Sequence, residues 1–204
     1  MTYIVKKLKQ LIILSMVVSP ICFAQSLFQK DVDYKVLAGQ PSSSKQVKEF
    51  FSYSCPHCYS FDSVIEGYLK SAPKEYSFTR IPVSFGRKDW EKSAQVYTLS
   101  ELLLMNDKLH HQVFVRIHDQ HKPFNNDKDV KSFFLNNGVD EEKFTKVANS
   151  FSAKSKYKEN ELLVKNFKIT SVPTLIVRDV YQIDLSRVNN SENLRHIVDF
   201  LMRL

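Results

Sequence analysis

Residues 50 to 61 read Phe-Phe-Ser-Tyr-Ser-Cys-Pro-His-Cys-Tyr-Ser-Phe, so Cys55 and Cys58 stand two residues apart with Pro56 and His57 between them. Three chemistries use such a pair: metal ligation, a structural cross-link, or reversible thiol–disulfide exchange. A structural Zn²⁺ takes four ligands, and the two cysteines supply half of them. Further ligands would come from His110, His111, His118 or His121, far along the chain, of which His118 and His121 have the spacing of one helical turn. A structural disulfide stabilises chiefly through the loop it closes, and a loop this short gives little. Redox chemistry uses the pair best. The thiolate is the reactive species. A helix starting at Pro56 places Cys55 at its N-terminal end, where free backbone N–H groups and the helix dipole favour negative charge. His57 adds a donor or a positive charge beside the sulfur. Each pKa unit below ambient pH stabilises the reduced form by roughly 1.4 kcal/mol, about 30 mV for a two-electron couple. Cys58, one turn on, is the internal partner.

The elements that must hold this pair are legible around it. Gln46 to Ser52 is rich in Val and Phe and reads as a buried strand, after a short strand from Tyr34 to Leu37 and a turn at Gly39-Gln40-Pro41. Phe61, Val64, Ile65, Tyr68 and Leu69 recur at helical spacing until Pro73, and Pro56 suits the first turn of that helix. Tyr76 to Val83 alternates as a strand. From Gly86 to about Lys165 the pattern is helical throughout. One helix carries Tyr97, Leu99, Leu102 and Leu103, and a second carries Val113, Phe114 and Ile117. A third carries Val130, Phe133 and Phe134 and stops at Asn136-Asn137-Gly138. Asp140 caps a fourth with Phe144, Val147, Ala148 and Phe151, and a longer helix covers Tyr157 to Val164. Strands return at Pro173 to Val177 and Tyr181 to Leu185, and Ser191 caps a last helix with Leu194, Ile197, Val198 and Leu201. The expected architecture is one α/β domain interrupted by a helical insertion.

Residues 1 to 24 have the layout of a secretory signal: Lys6, Lys7 and Lys9, then an apolar stretch from Leu11 to Val18, then Cys22-Phe23-Ala24 as a cleavage site. A lipoprotein signal with Cys22 as the lipidated residue is the alternative, and Pro20-Ile21 before the cysteine fits it poorly. Removing 24 residues leaves 180 of the 204, enough for one well-buried core. Three of the 29 basic residues and none of the 22 acidic ones go with the segment, so the net charge falls from +7 to +4. The lysines are scattered, which gives no footprint for nucleic acid.

A second constellation lies far from the first. Ser171-Val172-Pro173-Thr174 opens a strand, one of the few places in a sheet that tolerates proline. Glu49 interrupts the apolar run of the strand before Cys55. A buried carboxylate needs a partner or a raised pKa. Arg80, on the next strand, is the obvious partner, and an edge position facing water is the alternative.

Taken together, Glu49-Phe-Phe-Ser-Tyr-Ser-Cys-Pro-His-Cys58 and Ser171-Val-Pro-Thr-Leu-Ile-Val177 resemble the DsbA family of thiol:disulfide oxidoreductases, within the thioredoxin-fold superfamily, over nearly all of the chain after the leader. The resemblance implies an α/β thioredoxin-like fold whose mixed sheet is interrupted by an all-helical domain. The expected division is a signal peptide at 1–24, thioredoxin-like parts at 25–83 and 161–204, and a helical insertion at 84–160. It implies that Cys55 is the exposed nucleophile and Cys58 the buried resolving cysteine of a redox-active disulfide. Pro56 and His57 would tune the potential. Val172 and a cis Pro173 would face the disulfide and bind substrate backbone, and Glu49 would be the buried acid. The family's usual lysine partner is replaced by Arg80, which cannot give up its proton, so a proton relay through that pair is in question. Ser171 also departs from the glycine or threonine often found there. The resemblance further implies no cofactor and no metal. Its expected partners are unfolded exported proteins with cysteines, and a quinone-linked membrane protein of the DsbB type as reoxidant. It also implies a periplasmic monomer. Dimeric isomerases of the superfamily carry an N-terminal dimerisation domain, and only 30 residues lie between the expected cleavage site and Cys55. A reductase or isomerase, a peptide-binding chaperone and a metal carrier are the alternatives.

Overall fold

The segments 46–51 and 77–82, each carrying a valine, isoleucine or phenylalanine toward a core, build two neighbouring parallel strands, and a computed structural model describing residues 27–204 arranges the rest around them. The expected leader, with Cys22, lies outside the described residues. In chain order the elements are β1 (Tyr34–Val36), β2 (Gln46–Phe51), α1 (Pro56–Ser71), β3 (Ser77–Pro82), α2 (Lys88–Leu102), α3 (Asn106–His118), α4 (Asp127–Asn136), α5 (Glu141–Ala148), α6 (Phe151–Asn166), β4 (Thr174–Val177), β5 (Tyr181–Ile183) and α7 (Ser191–Leu201). The sheet runs β1-β5-β4-β2-β3, with β2 parallel to β3 and every other neighbouring pair antiparallel. This is the α/β thioredoxin-like fold with a mixed sheet and helices inserted between β3 and β4.

Strand β2 lies inside the sheet, between β4 and β3, which decides the environment of the residues that follow it. Its side chains alternate between two cores. Val47 joins Ile65 and Tyr68 of α1 and Leu194, Ile197 and Val198 of α7 on one face of the sheet. Phe50 joins Ile81, Ile176 and the Leu163–Phe167 end of α6 on the other. Gly67 permits the close approach of α1 to α7, because a Cβ there would lie 2.7 Å from that of Ser191. A third core fills the helical region with Leu99, Leu109, Val113, Phe114, Phe124 and Phe134, and it extends through Phe51 and Tyr53 to both cysteines. The active-site loop is therefore packed against the helical region as well as against the sheet.

Some expected boundaries move. Phe151 opens α6 rather than closing α5, because Ser150 caps the later helix by accepting from the Ala153 N–H. The cap of α7 is Asn190, which accepts from the Asn193 N–H, and Ser191 is the first helical residue. Leu185 belongs to a 3-10 turn beyond β5.

Candidate active site

Proline at the first position of α1 and an extended Cys55 (φ −94°, ψ 118°) make Cys55 the N-cap residue of that helix. An N-cap side chain faces the unpaired N–H groups of the first turn, which ordinarily bond a serine or aspartate oxygen. With sulfur there, no amide meets strict hydrogen-bond geometry to the neutral thiol, yet the His57 and Cys58 N–H groups lie close enough to favour its anion. The Cys58 thiol does most: it donates toward the Cys55 sulfur and, with those amides and the charge of His57, brings the Cys55 pKa down to about 6 against the opposing effect of burial. Cys58 moves the other way. Burial pushes its thiol far above the ordinary range, even though the Ser52 N–H donates to its sulfur at 3.5 Å. Two chemically identical groups are thus separated into a ready nucleophile and a reluctant one.

The loop before β4 closes the site from the opposite side. The Val172–Pro173 peptide is cis, and the Cys55 thiol donates to the Val172 carbonyl oxygen at 3.5 Å. Val172 and Pro173 are half-buried, whereas Ser171, Pro56 and His57 are exposed. The Cys55 residue itself is only 5% accessible, against 1% for Cys58. The expectation of an exposed nucleophile is corrected accordingly: the Val172 carbonyl and the aromatic core cover the residue, and the exposed rim is the Pro56-His57 dipeptide.

Beneath the cysteines, the parallel register of β2 and β3 sets Glu49 opposite Arg80. Glu49 is 4% accessible and not at an edge. Arg80 Nε donates to its Oε2 at 3.0 Å, while Arg80 Nη2 bonds Glu66 at 2.7 Å and lies 3.8 Å from Asp62. One guanidinium shared among three carboxylates cannot offset the desolvation of the most buried one. Burial therefore wins, and the Glu49 pKa rises to about 7 despite the ion pair. The charge of Glu49 in turn disfavours a Cys58 thiolate.

The family described as "DSBA-like thioredoxin domain" matches residues 46–199. The chain belongs to this family. It is 31% identical over 157 residues to the thiol:disulfide interchange protein DsbA of Pseudomonas aeruginosa, a match covering 77% of this chain and 74% of that protein. The DsbA of Burkholderia cepacia is 31% identical over 163 residues, covering 80% and 76%. A crystal structure of Pseudomonas aeruginosa DsbA superposes with a TM-score of 0.76 at 30% identity, covering 86% of this chain and 93% of that one. The chain is a thiol:disulfide oxidoreductase of the DsbA family, the kind that introduces disulfides.

The structure brings together all eight residues singled out by the sequence. Cys55 caps α1 and Pro56, His57 and Cys58 form its first turn, the carbonyl of the cis Val172–Pro173 bond faces Cys55, and Glu49 and Arg80 pair below. The two histidines spaced as a possible ligand pair do not stand together. His118 ends α3 with its Nε2 2.8 Å from the Tyr53 carbonyl oxygen, and His121 lies exposed beyond the helix. Among the described residues, Asp62, Glu66 and His110 do have ligand atoms within 4.8 Å of one another. The Arg80 guanidinium already supplies the positive charge there. Sequence reasoning missed Tyr53 and Asp62, and it read His110 only as a possible metal ligand. His110 Nδ1 is 2.8 Å from the Tyr53 hydroxyl and its Nε2 is 3.1 Å from Asp62 Oδ1. Only the apolar positions flanking His110, Leu109 and Val113, signalled that this histidine faces inward.

Proposed function

We propose that this protein carries its disulfide between Cys55 and Cys58 and delivers it to newly exported, unfolded proteins. The observation that supports this most is the opposed state of the two sulfurs: one at a helix N-cap with a pKa of about 6, the other buried and pushed far up. In the forward step a substrate thiolate attacks the Cys55 sulfur. A substrate–Cys55 disulfide forms, the Cys55–Cys58 bond breaks, and Cys58 leaves as a thiolate that takes up a proton. A second substrate thiolate then attacks the substrate sulfur, and the Cys55 thiolate departs. The substrate is oxidised by two electrons and the enzyme pair is reduced. A leaving thiol of low pKa speeds that last step. The Val172 and Pro173 backbone holds the substrate as an extended segment, Pro56 and His57 set the potential from the rim, and Glu49 with Arg80 sets it from below.

In the same reading residues 1–24 are a cleaved leader and the site of action is the periplasm. Residues 25–83 and 161–204 are the two thioredoxin-like parts around a helical insertion at 84–160. The protein works as a monomer without cofactor or metal, and a quinone-linked membrane protein of the DsbB type reoxidises it. Among the described residues no helix is long and apolar enough to cross a membrane. Trapping tests the assignment. Cys58→Ser protein, mixed with a peptide activated as a disulfide, should accumulate a stable adduct that peptide mapping places on Cys55. Rapid loss of that adduct, or its absence, overturns the role given to Cys58 or Cys55 respectively.

A further inference from the structure

Tyr53 stands two residues before Cys55 and is 1% accessible, and helix α3 of the inserted region holds it at both ends. Its hydroxyl lies 2.8 Å from His110 Nδ1, and its carbonyl oxygen lies 2.8 Å from His118 Nε2. The two histidines are two turns apart on α3, and Phe114 between them meets the Tyr53 ring edge-on at 4.9 Å. The proton positions follow from the partners. A carbonyl only accepts, so His118 donates through Nε2–H. Asp62 is held ionised against its own desolvation by its bond to His110, and a carboxylate only accepts. His110 therefore carries its proton on Nε2, and burial keeps the ring neutral. Its Nδ1 is then an acceptor, and the Tyr53 hydroxyl donates to it.

We infer that His110 and His118 are positioning residues of the exchange reaction, a two-point clamp through which the helical insertion fixes the loop that carries Cys55. The Cys55 N–H donates to the Ser52 carbonyl oxygen at 3.1 Å, so residues 52–55 form a turn with Tyr53 and Ser54 at its corner. The clamp grips that corner. His118 also stacks on Tyr59, ring centroids 4.9 Å apart and planes 7° apart, immediately after Cys58. Tyr59 in turn donates to Asp119 just past α3. The end of α3 therefore touches the chain on both sides of the cysteine pair. Whether the first-turn amides and the Cys58 thiol point at the Cys55 sulfur depends on how this turn sits against α1. Hydrogen bonds to an anion weaken steeply with misalignment.

The proposal rests on Cys55 being the ionised nucleophile, and the experiment separates the two. Thiolate absorbance of the reduced protein is titrated from pH 4 to 9, a range in which Cys58 stays protonated. The reduction potential is measured beside it. His118→Leu, which keeps the apolar contact and removes the donor, should raise the Cys55 pKa by half a unit or more. It should also move the potential toward reducing values by about 15 mV or more. His118→Gln, whose amide restores a donor, should return both toward the wild type. Tyr53→Phe, which removes only the hydroxyl bond, should shift both in the same direction by less, and it serves alone if His118→Leu does not fold. Unchanged values in folded His118→Leu and Tyr53→Phe, or failure of His118→Gln to recover, overturn the clamp. A wild-type protein without a low thiolate pKa instead overturns the reading of Cys55 itself.

Discussion

Reducing the disulfide should make the folded protein more stable relative to its oxidised form as the pH rises, and the size follows from Cys55. Its thiol titrates near 6 in the folded state against an ordinary 9.0. A depressed folded pKa contributes stability that is complete above the unfolded value and is lost as pH falls through the folded one. The contribution is negligible at pH 5, on the order of 1 kcal/mol at pH 7 and on the order of 3 kcal/mol at pH 8. These are ceilings, because water at the rim by Pro56 and His57 screens part of the interaction. The oxidised protein has no thiol at Cys55 and lacks this dependence, while Glu49 and other groups common to both forms largely cancel in the difference. For a chain of this size each kcal/mol moves the melting temperature by roughly 2–4 °C. The gap between reduced and oxidised melting temperatures should therefore move by about 5–10 °C toward the reduced form between pH 5 and pH 8. Melts of both forms in matched buffers measure it. A gap that stays constant across that range, or moves toward the oxidised form, refutes the reasoning.

The other expectations concern the groups around the sulfur. Iodoacetamide should modify Cys55 with a rate that rises through pH 6 and leave Cys58 unmodified; modification of Cys58 first contradicts the assignment of nucleophile. His57→Ser should raise the Cys55 pKa by only a fraction of a unit, since the Cys58 thiol and the first-turn amides outweigh its charge; a shift of two units in the thiolate titration is incompatible with this ordering. Glu49, with a folded pKa of about 7 against 4.5, contributes stability that is full below 4.5 and lost as pH rises through 7. Glu49→Gln should therefore stabilise the protein by up to about 3 kcal/mol at pH 8 and change it little at pH 4.5, and urea unfolding showing equal effects at both pH values rules this out. Arg80→Met leaves Glu49, Asp62 and Glu66 without their shared cation and should cost on the order of 3–5 kcal/mol in the same assay; a loss below about 1 kcal/mol contradicts the central place given to Arg80.

What the sequence disclosed was local chemistry and the frame immediately around it. Pro56 after Cys55 marks a helix start whatever the rest of the chain does. The register that pairs Glu49 with Arg80 follows from two adjacent strands joined by one helix. Pro173 announces itself by standing just before a strand. The contacts of α3 were hidden for a physical reason. His110 and His118 read only as possible metal ligands, because their partners Tyr53, Asp62 and Tyr59 lie about fifty to sixty residues away on other elements. Only the packing of the insertion against the active-site loop brings them together. The cover over Cys55 was hidden likewise, since part of it comes from Val172, more than a hundred residues on, and part from the aromatic core of the helical region. The displaced caps at Ser150 and Asn190 are smaller matters of two polar candidates in a row.

The reduction potential of the Cys55–Cys58 pair, taken at pH 7 by equilibration in glutathione buffers, tests the central claim most directly. An acidic Cys55 thiolate stabilises the reduced form, so the couple should lie above about −200 mV, among the proteins that donate disulfides. A value near or below about −270 mV, where thioredoxin-type reductants lie, contradicts it.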